Sequence, residues 1–199
     1  MTSLAPVPRP KEFDPDAALQ AAMELFWEHG YEATSLAMLT ERLGLGRASL
    51  YATFGDKRNL YRLALQRYLA TRDPNPIELL SRPGPVLPAI QALVDQYVDE
   101  SLCDPDRKGC LVVNTATELL PRDRDLARVV ESSWDALEVA LTSALLRAHA
   151  QGELATDRDP RALARFLLVF LQGVRVLAKA PDPDRLRDAA RTALSVLQP

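Results

Sequence analysis

Few residues in this chain are equipped for covalent chemistry. Cys110 is the first: in Lys108-Gly109-Cys110-Leu111 it stands where a short helix is expected to begin, after a loop holding Asp104, Asp106 and Arg107. A thiol in the first turn of a helix gains thiolate character from the helix dipole, and Arg107 and Lys108 would add to it. The competing reading is a small buried residue that packs the helix start. Cys103 is a weaker candidate and a candidate resolving thiol, and Lys179 a candidate amine neighbour. Two cysteines are too few for a disulfide framework, so reduced thiols are expected. With only His29 and His149, no Cys/His spacing suits a metal. No G-x-S-x-G, no phosphate loop and no histidine beside a nucleophile is found, so neither metal, cofactor nor catalytic machinery is expected.

The second kind of chemistry is the holding of phosphates. The chain carries a net charge of −3, yet Arg42, Arg47, Lys57, Arg58, Arg62, Arg67 and Arg72 face Asp56 alone within residues 42–72. A local basic region on an acidic body suits a protein that grips one polyanion without coating every other, though a solvated arginine-rich face would look the same. Thr34 and Ser35 sit at one expected helix start and Lys57 at another, where the dipole already favours an anion.

These side chains need elements to position them. Asp14-Pro15 is an N-cap with proline in the first turn, and Ala18, Ala22, Leu25 and Phe26 give one apolar face before Gly30. Thr34-Ser35 starts a second helix with Leu36, Leu39 and Leu43 on one side; Gly44-Leu45-Gly46 leaves room only for a tight turn. A third helix is expected over Arg47–Phe54 with Leu50 and Phe54 as its buried pair, and a fourth from Lys57 to about Thr71. Prolines 74, 76, 83, 85 and 88 then allow at most one helical turn near Ile77–Leu80. Helices follow over about Val86–Leu102, Leu111–Leu120, Arg124–Gln151, Pro160–Lys179 and from Pro183 onward. No strand-length alternation and no repeat is present, so the fold class is all-α. Residues 1–12, with Pro6, Pro8 and Pro10, are expected to form a flexible arm, 13–58 a helix-turn-helix domain and 59–199 a helical ligand-binding and dimerisation domain.

Two short helices joined by a glycine-containing turn and preceded by a supporting helix make a helix-turn-helix. The second must be slim and polar outside, which Arg47, Ala48, Ser49 and Thr53 satisfy. Tyr51 points away from the Leu50/Phe54 face, either to reach DNA or to pack between helices one and four. The apolar run 166–171 needs partners all round, as a central core helix or as a seam between two subunits. Trp134, Tyr97, Phe166 and Phe170 are aromatic candidates for a ligand cavity, against plain core. Met1–Pro10 lacks an apolar leader segment, and Ala162–Ala178 is interrupted by Arg165, Gln172 and Arg175, so a cytoplasmic protein with no membrane span is expected.

Residues 13–65 resemble the DNA-binding domain of the tetracycline-repressor (TetR/AcrR-type) family. The match runs through Ala22-x-x-Leu25-Phe26, Gly30-Tyr31-x-x-Thr34-Ser35, Leu43-Gly44 and Ser49-Leu50-Tyr51-x-x-Phe54-x-x-Lys57-x-x-Leu60. The resemblance implies a homodimer on palindromic double-stranded operator DNA, most often as a repressor, with an unknown small-molecule effector bound by the C-terminal domain. It places Thr34, Ser35, Tyr51 and Lys57 on phosphates and Arg47, Ala48, Ser49 and Thr53 toward the groove. Gly46 departs from the serine or threonine often found there, and Ala48 leaves at most a thymine-methyl contact. Arg47 is the leading base reader. The resemblance further implies that the last two helices pair with their symmetry mates. Gly109-Cys110-Leu111, with Asn114 and Glu118 following, resembles a segment of family members that sense oxidants or electrophiles; with Trp134, Phe170 and Lys179 these complete the ligand or sensor candidates. A helical enzyme or a protein-binding adaptor is the rival class.

Overall fold

The computed structural model describes residues 13–198, and among them every regular element is a helix. The expected arm over 1–12 lies outside the described residues. The first helix, α1 (Pro15–His29), begins at Asp14, whose carboxylate accepts the Asp16 N–H, with Pro15 in the first turn. Gly30, at φ 82°, ends it. Ser35 caps α2 (Leu36–Leu43) by accepting the Met38 N–H at 3.1 Å, and Gly44 closes it in the left-handed region. Then α3 (Arg47–Phe54) starts at Gly46 without a side-chain cap, and α4 (Lys57–Ala70) starts at Asp56, which accepts the Asn59 N–H at 2.7 Å.

The remaining elements are α5 (Pro76–Ser81), α6 (Val86–Leu102), α7 (Leu111–Leu119), α8 (Arg124–Ala150), α9 (Pro160–Leu177) and α10 (Pro183–Ser195). Two apolar clusters organise them. One is built from α6, α8, α9 and α10 around Leu93, Tyr97, Leu141, Leu171 and Leu186. The other joins α1–α4 through Phe26, Leu39, Leu50 and Tyr61 to Leu111 and Leu119 of α7 and Leu126 of α8. Each such fully buried aliphatic or aromatic side chain contributes roughly 1.5–3 kcal/mol. The head therefore shares one core with α7, and a boundary at 58/59 runs through that cluster rather than between two.

The last two helices, α9 and α10, expected to pair with a second copy, differ in what they leave exposed. Leu186, Ala190 and Ala193 of α10 are buried, and α10 packs on α6 and α9. Most of the large apolar side chains left exposed outside the head lie on α8 (Val139, Leu146) and α9 (Phe166, Val169, Val176, Leu177), with Ile77 on α5. The reason is periodic: on α9 the stripe 166, 169, 176 falls on the face opposite Leu167, Leu171 and Val174, which fill the core. No helix among the described residues is long and apolar enough to cross a membrane.

Candidate nucleic-acid interface and effector cavity

The outer face of α3 rests on two anchors, Leu50, fully buried, and Phe54, nearly so. Their spacing of one helical turn puts both on the inner side, which leaves Arg47, Ala48, Ser49, Tyr51 and Thr53 exposed. Tyr51 is 44% exposed, so it is not the interhelical packing residue that sequence left open. Eight residues give a rod about 12 Å long, slim enough for the major groove of B-DNA. Ser35 is exposed; its oxygen accepts the Met38 N–H, so its own O–H can still be donated outward. Thr34 is different. It is buried and donates its hydroxyl to the Gly30 carbonyl at 2.6 Å, which makes its side chain a turn brace instead of a phosphate donor.

Lys57 opens α4 with its Nζ 4.3 Å from the centroid of the Tyr31 ring. Burial draws its pKa below the ordinary lysine value, while Glu32 and Glu118 oppose that shift. Most other cations of the basic segment are engaged within the protein. Arg42 meets Glu24 at 3.5 Å. Arg58 makes a fork with Asp123 at 2.6 and 2.7 Å and reaches Asp125 at 3.0 Å. Arg62 bonds Asn59 and Gln66, and Arg67 bonds Asp16 and Gln20. Arg72 lies in the body. What the sequence shows as a basic patch is thus largely a set of interhelical ties, and Arg47 and Lys57 are the cations it leaves at the α3 side.

Those ties fix the head on the body. The Glu118 carboxylate, near the end of α7, accepts the backbone N–H groups of Tyr31 at 3.0 Å and Glu32 at 2.8 Å. Gly30 permits this approach, since a Cβ there would lie 3.0 Å from Glu118 Oε2 on a backbone already at φ 82°. Trp27 Nε1 donates to the Gly109 carbonyl at 2.8 Å, and the hydroxyls of Tyr61 and Thr115 share a bond of 2.8 Å. Asp123, held first by the Arg58 hydrogen bonds, has its pKa lowered to about 2. Apart from Glu118, placed only within the cysteine segment, these contacts carry no short-range signal in the sequence.

Below the head, α4, α5, α6, α7, α8 and α9 line a cavity of about 610 Å³ that is open on one side. Of the ligand and sensor candidates, Cys110 and Trp134 line it. Cys110 is buried at the N-cap of α7, and Cys103 is exposed. Trp134 Nε1 donates to Gln172 Oε1 at 3.2 Å. Asn114 and Lys179 lie elsewhere: both donate to the Lys108 carbonyl, at 2.8 and 2.7 Å, and so brace the loop before α7. Phe170 stacks with Phe166, with centroids 6.4 Å apart, and neither lines the cavity. Of the two cations expected beside the thiol, Lys108 is engaged elsewhere, as it pairs with Asp106 at 3.3 Å and lies over Trp27. Sequence reasoning missed Arg72 and Arg175, which share the cavity with Cys110. The available signal was Arg175 itself, a charge set between Val174 and Val176 on the buried side of α9.

With this geometry in place, similarity to known proteins is informative. The family model described as bacterial regulatory proteins, tetR family, matches residues 18–64. A second, the tetracyclin repressor-like C-terminal domain, matches residues 86–194. The HTH-type transcriptional regulator YezE of Bacillus subtilis (strain 168) is 43% identical over 192 residues, covering 95% of this chain and 98% of its own. The HTH-type transcriptional repressor ComR of Escherichia coli (strain K12) is 36% identical over 191 residues, covering 94% of this chain and 90% of its own. Among solved structures, a cysteine mutant of the regulator CifR complexed with 26-bp double-strand operator DNA superposes with a TM-score of 0.83 at 33% identity, covering 96% of this chain and 100% of that one.

Proposed function

The chain belongs to the tetR family of bacterial regulatory proteins, and from that premise we propose that it is a repressor that binds a palindromic operator as a homodimer and is released by a small molecule. It is a DNA-binding transcription regulator and not an enzyme. The observation that carries the reading is the outer face of α3: polar and exposed, with Arg47 at its N-terminal end, on a buried Leu50/Phe54 base.

In this account Arg47 reads a base edge, Ser49 and Thr53 face the groove beside Ala48, and Ser35, Tyr51 and Lys57 hold phosphates to register the helix. The exposed apolar stripes of α8 and α9 pair with those of a second copy, so that two α3 helices meet successive major grooves. CifR was solved with operator DNA, and operator binding through α3 fits this chain. The regulator acts in the cytoplasm, where its operator is. Release follows occupation of the body cavity or modification of Cys110, and α7 transmits it: Cys110 caps its start and Glu118 near its end holds the Tyr31–Glu32 turn.

Selection of bound duplexes from random DNA tests the reading. A palindrome with two half-sites about one helical turn apart is the expected product, with affinity falling steeply as salt rises. Retention of no duplex, or indifference to salt, would count against it.

A further inference from the structure

Two arginines sit deep in the body and take no part in the DNA-facing surface. Arg175, on α9, is 5% exposed, and Arg72, just beyond α4, has a side chain 17% exposed. Their guanidinium carbons lie 4.2 and 4.6 Å from the centroid of one ring, that of Tyr97. A single carboxylate, Glu100, answers both cations. It is hydrogen-bonded to Arg175, while Arg72 Nη2 stays 3.6 Å away, outside hydrogen-bond reach. Arg72 Nη1 donates to the Tyr97 hydroxyl at 3.0 Å. Arg72 Nη2 and Arg175 Nε are buried with no hydrogen-bond partner. Buried donors on a cation are costly to leave unmet. The cluster therefore carries one surplus positive charge and two open donors.

These arginines form a wall between two cavities of opposite character. On one side, a cavity of about 540 Å³ is bordered by Asp73, Glu100, Asp104 and Asp106, with Lys108 as its one further cation. On the other, the cavity of about 610 Å³ is bordered by Arg72, Arg175 and Arg128, and no aspartate or glutamate is among the described residues that line it. Arg128 is exposed and is already met by Asp125 at 3.1 Å. The rest of the lining is largely apolar, with Leu69, Ile77, Val112, Trp134 and Leu137. Its volume falls in the range of small-molecule sites.

We propose that this cavity binds a small organic monoanion, a carboxylate on an apolar body, with Arg72 and Arg175 holding the carboxylate and the Trp134 side taking the body. The proposal rests on the ligand-responsive reading above and supplies its ligand class. One surplus charge suits a monoanion, and a planar guanidinium matches a carboxylate fork. A neutral ligand would leave the charge uncompensated, and a dianion would overload it. The position of Arg72 gives the ligand leverage. It follows α4, a helix about 21 Å long whose first residue is Lys57 in the head. An anion that draws Arg72 from Glu100 acts on the far end of that helix.

Matched acid–amide pairs test the proposal on the full chain: benzoate with benzamide, cinnamate with cinnamamide, and hexanoate with hexanamide, followed by calorimetry. At least one carboxylate is expected to bind, with its amide about 10- to 100-fold weaker, the range of a lost charge-assisted contact. Arg72→Gln and Arg175→Met should each remove the preference for the acid. Should Arg175→Met fail to fold, Arg72→Gln, at the less buried position, carries the test. Equal binding of acid and amide, binding of no carboxylate, or an unchanged preference in Arg72→Gln would overturn the proposal. Operator binding without ligand, measured on the same samples, separates the two readings. If it is intact while no carboxylate binds, only the ligand class is wrong; if it is absent, the regulator reading fails on its own.

Discussion

Replacing Glu118 by Gln tests the link between α7 and the head. In the native protein both carboxylate oxygens accept backbone N–H groups, from Tyr31 at 3.0 Å and Glu32 at 2.8 Å. A glutamine keeps the shape but offers one acceptor, and its NH₂ would oppose the other N–H. One hydrogen bond to a charged group is lost, worth about 1.5–3 kcal/mol, and the other falls to the neutral range of about 0.5–1.5 kcal/mol. Glu32 is exposed, so water recovers part of this, and a net loss of about 1–3 kcal/mol is expected. Local opening of the Tyr31–Glu32 turn should then rise roughly 5- to 150-fold, read as faster amide hydrogen exchange at those two residues. The melting temperature should fall by several degrees, given about 2–4 °C per kcal/mol at this size. Unchanged exchange at residues 31 and 32 in a folded Glu118→Gln protein would refute the argument that α7 holds the head through this carboxylate.

Three further outcomes follow from the same structure. Asp123, with its pKa lowered to about 2 by Arg58, stabilises the folded state above the ordinary aspartate value of 3.8, and that contribution is lost as pH falls from about 4 toward 2. Asp123→Asn should flatten the acid limb of a stability-versus-pH curve over this window, and an unaltered limb would show that the fork with Arg58 does not matter. Val169→Glu should leave the monomer fold intact, because the residue is 71% exposed, yet yield monomers in sedimentation at concentrations where the parent is dimeric, since a buried unpaired charge costs several kcal/mol. A Val169→Glu dimer of parental affinity would move the interface elsewhere. Finally, Cys110→Ser should retain operator affinity and lose release by mild electrophiles; a serine variant that responds like the parent leaves Cys110 as a packing residue.

What the sequence revealed and what it hid divide along a physical line. Helix starts were legible because their signals are local: Asp14-Pro15 and Ser35 as caps, Pro160 and Pro183 in first turns, and the structure adds Asp56, Asp123, Asp159 and Asp182 as carboxylates that accept a backbone N–H of the helix they precede. The α3 face was legible for the same reason, since Leu50 and Phe54 fix its orientation within one turn. The destination of charges was not local. Arg58 finds Asp123, Arg67 finds Asp16 and Arg72 finds Tyr97 and Glu100 across 25–65 residues of chain, so a basic run could not be told from a set of ties. Thr34 beside Ser35 looked like a second phosphate donor because both are small and hydroxylated, and only the fold of the Gly30 turn distinguishes them. The exposed face of α9 escaped because residues 166–171 are apolar on every side, and which stripe stays outside depends on how α8 and α6 pack against it.

The central claim, that the outer face of α3 reads DNA, is tested most directly by one titration series. The operator duplex from selection is titrated with the parent, Arg47→Ala and Lys57→Ala proteins at several salt concentrations, with each base pair of one half-site varied in turn. Arg47→Ala is expected to lose about 1–3 kcal/mol on the operator and to relax preference at one position, whereas Lys57→Ala weakens all sequences alike and lowers the salt slope by about 1. Parental affinity, base preference and salt slope in both variants would contradict it.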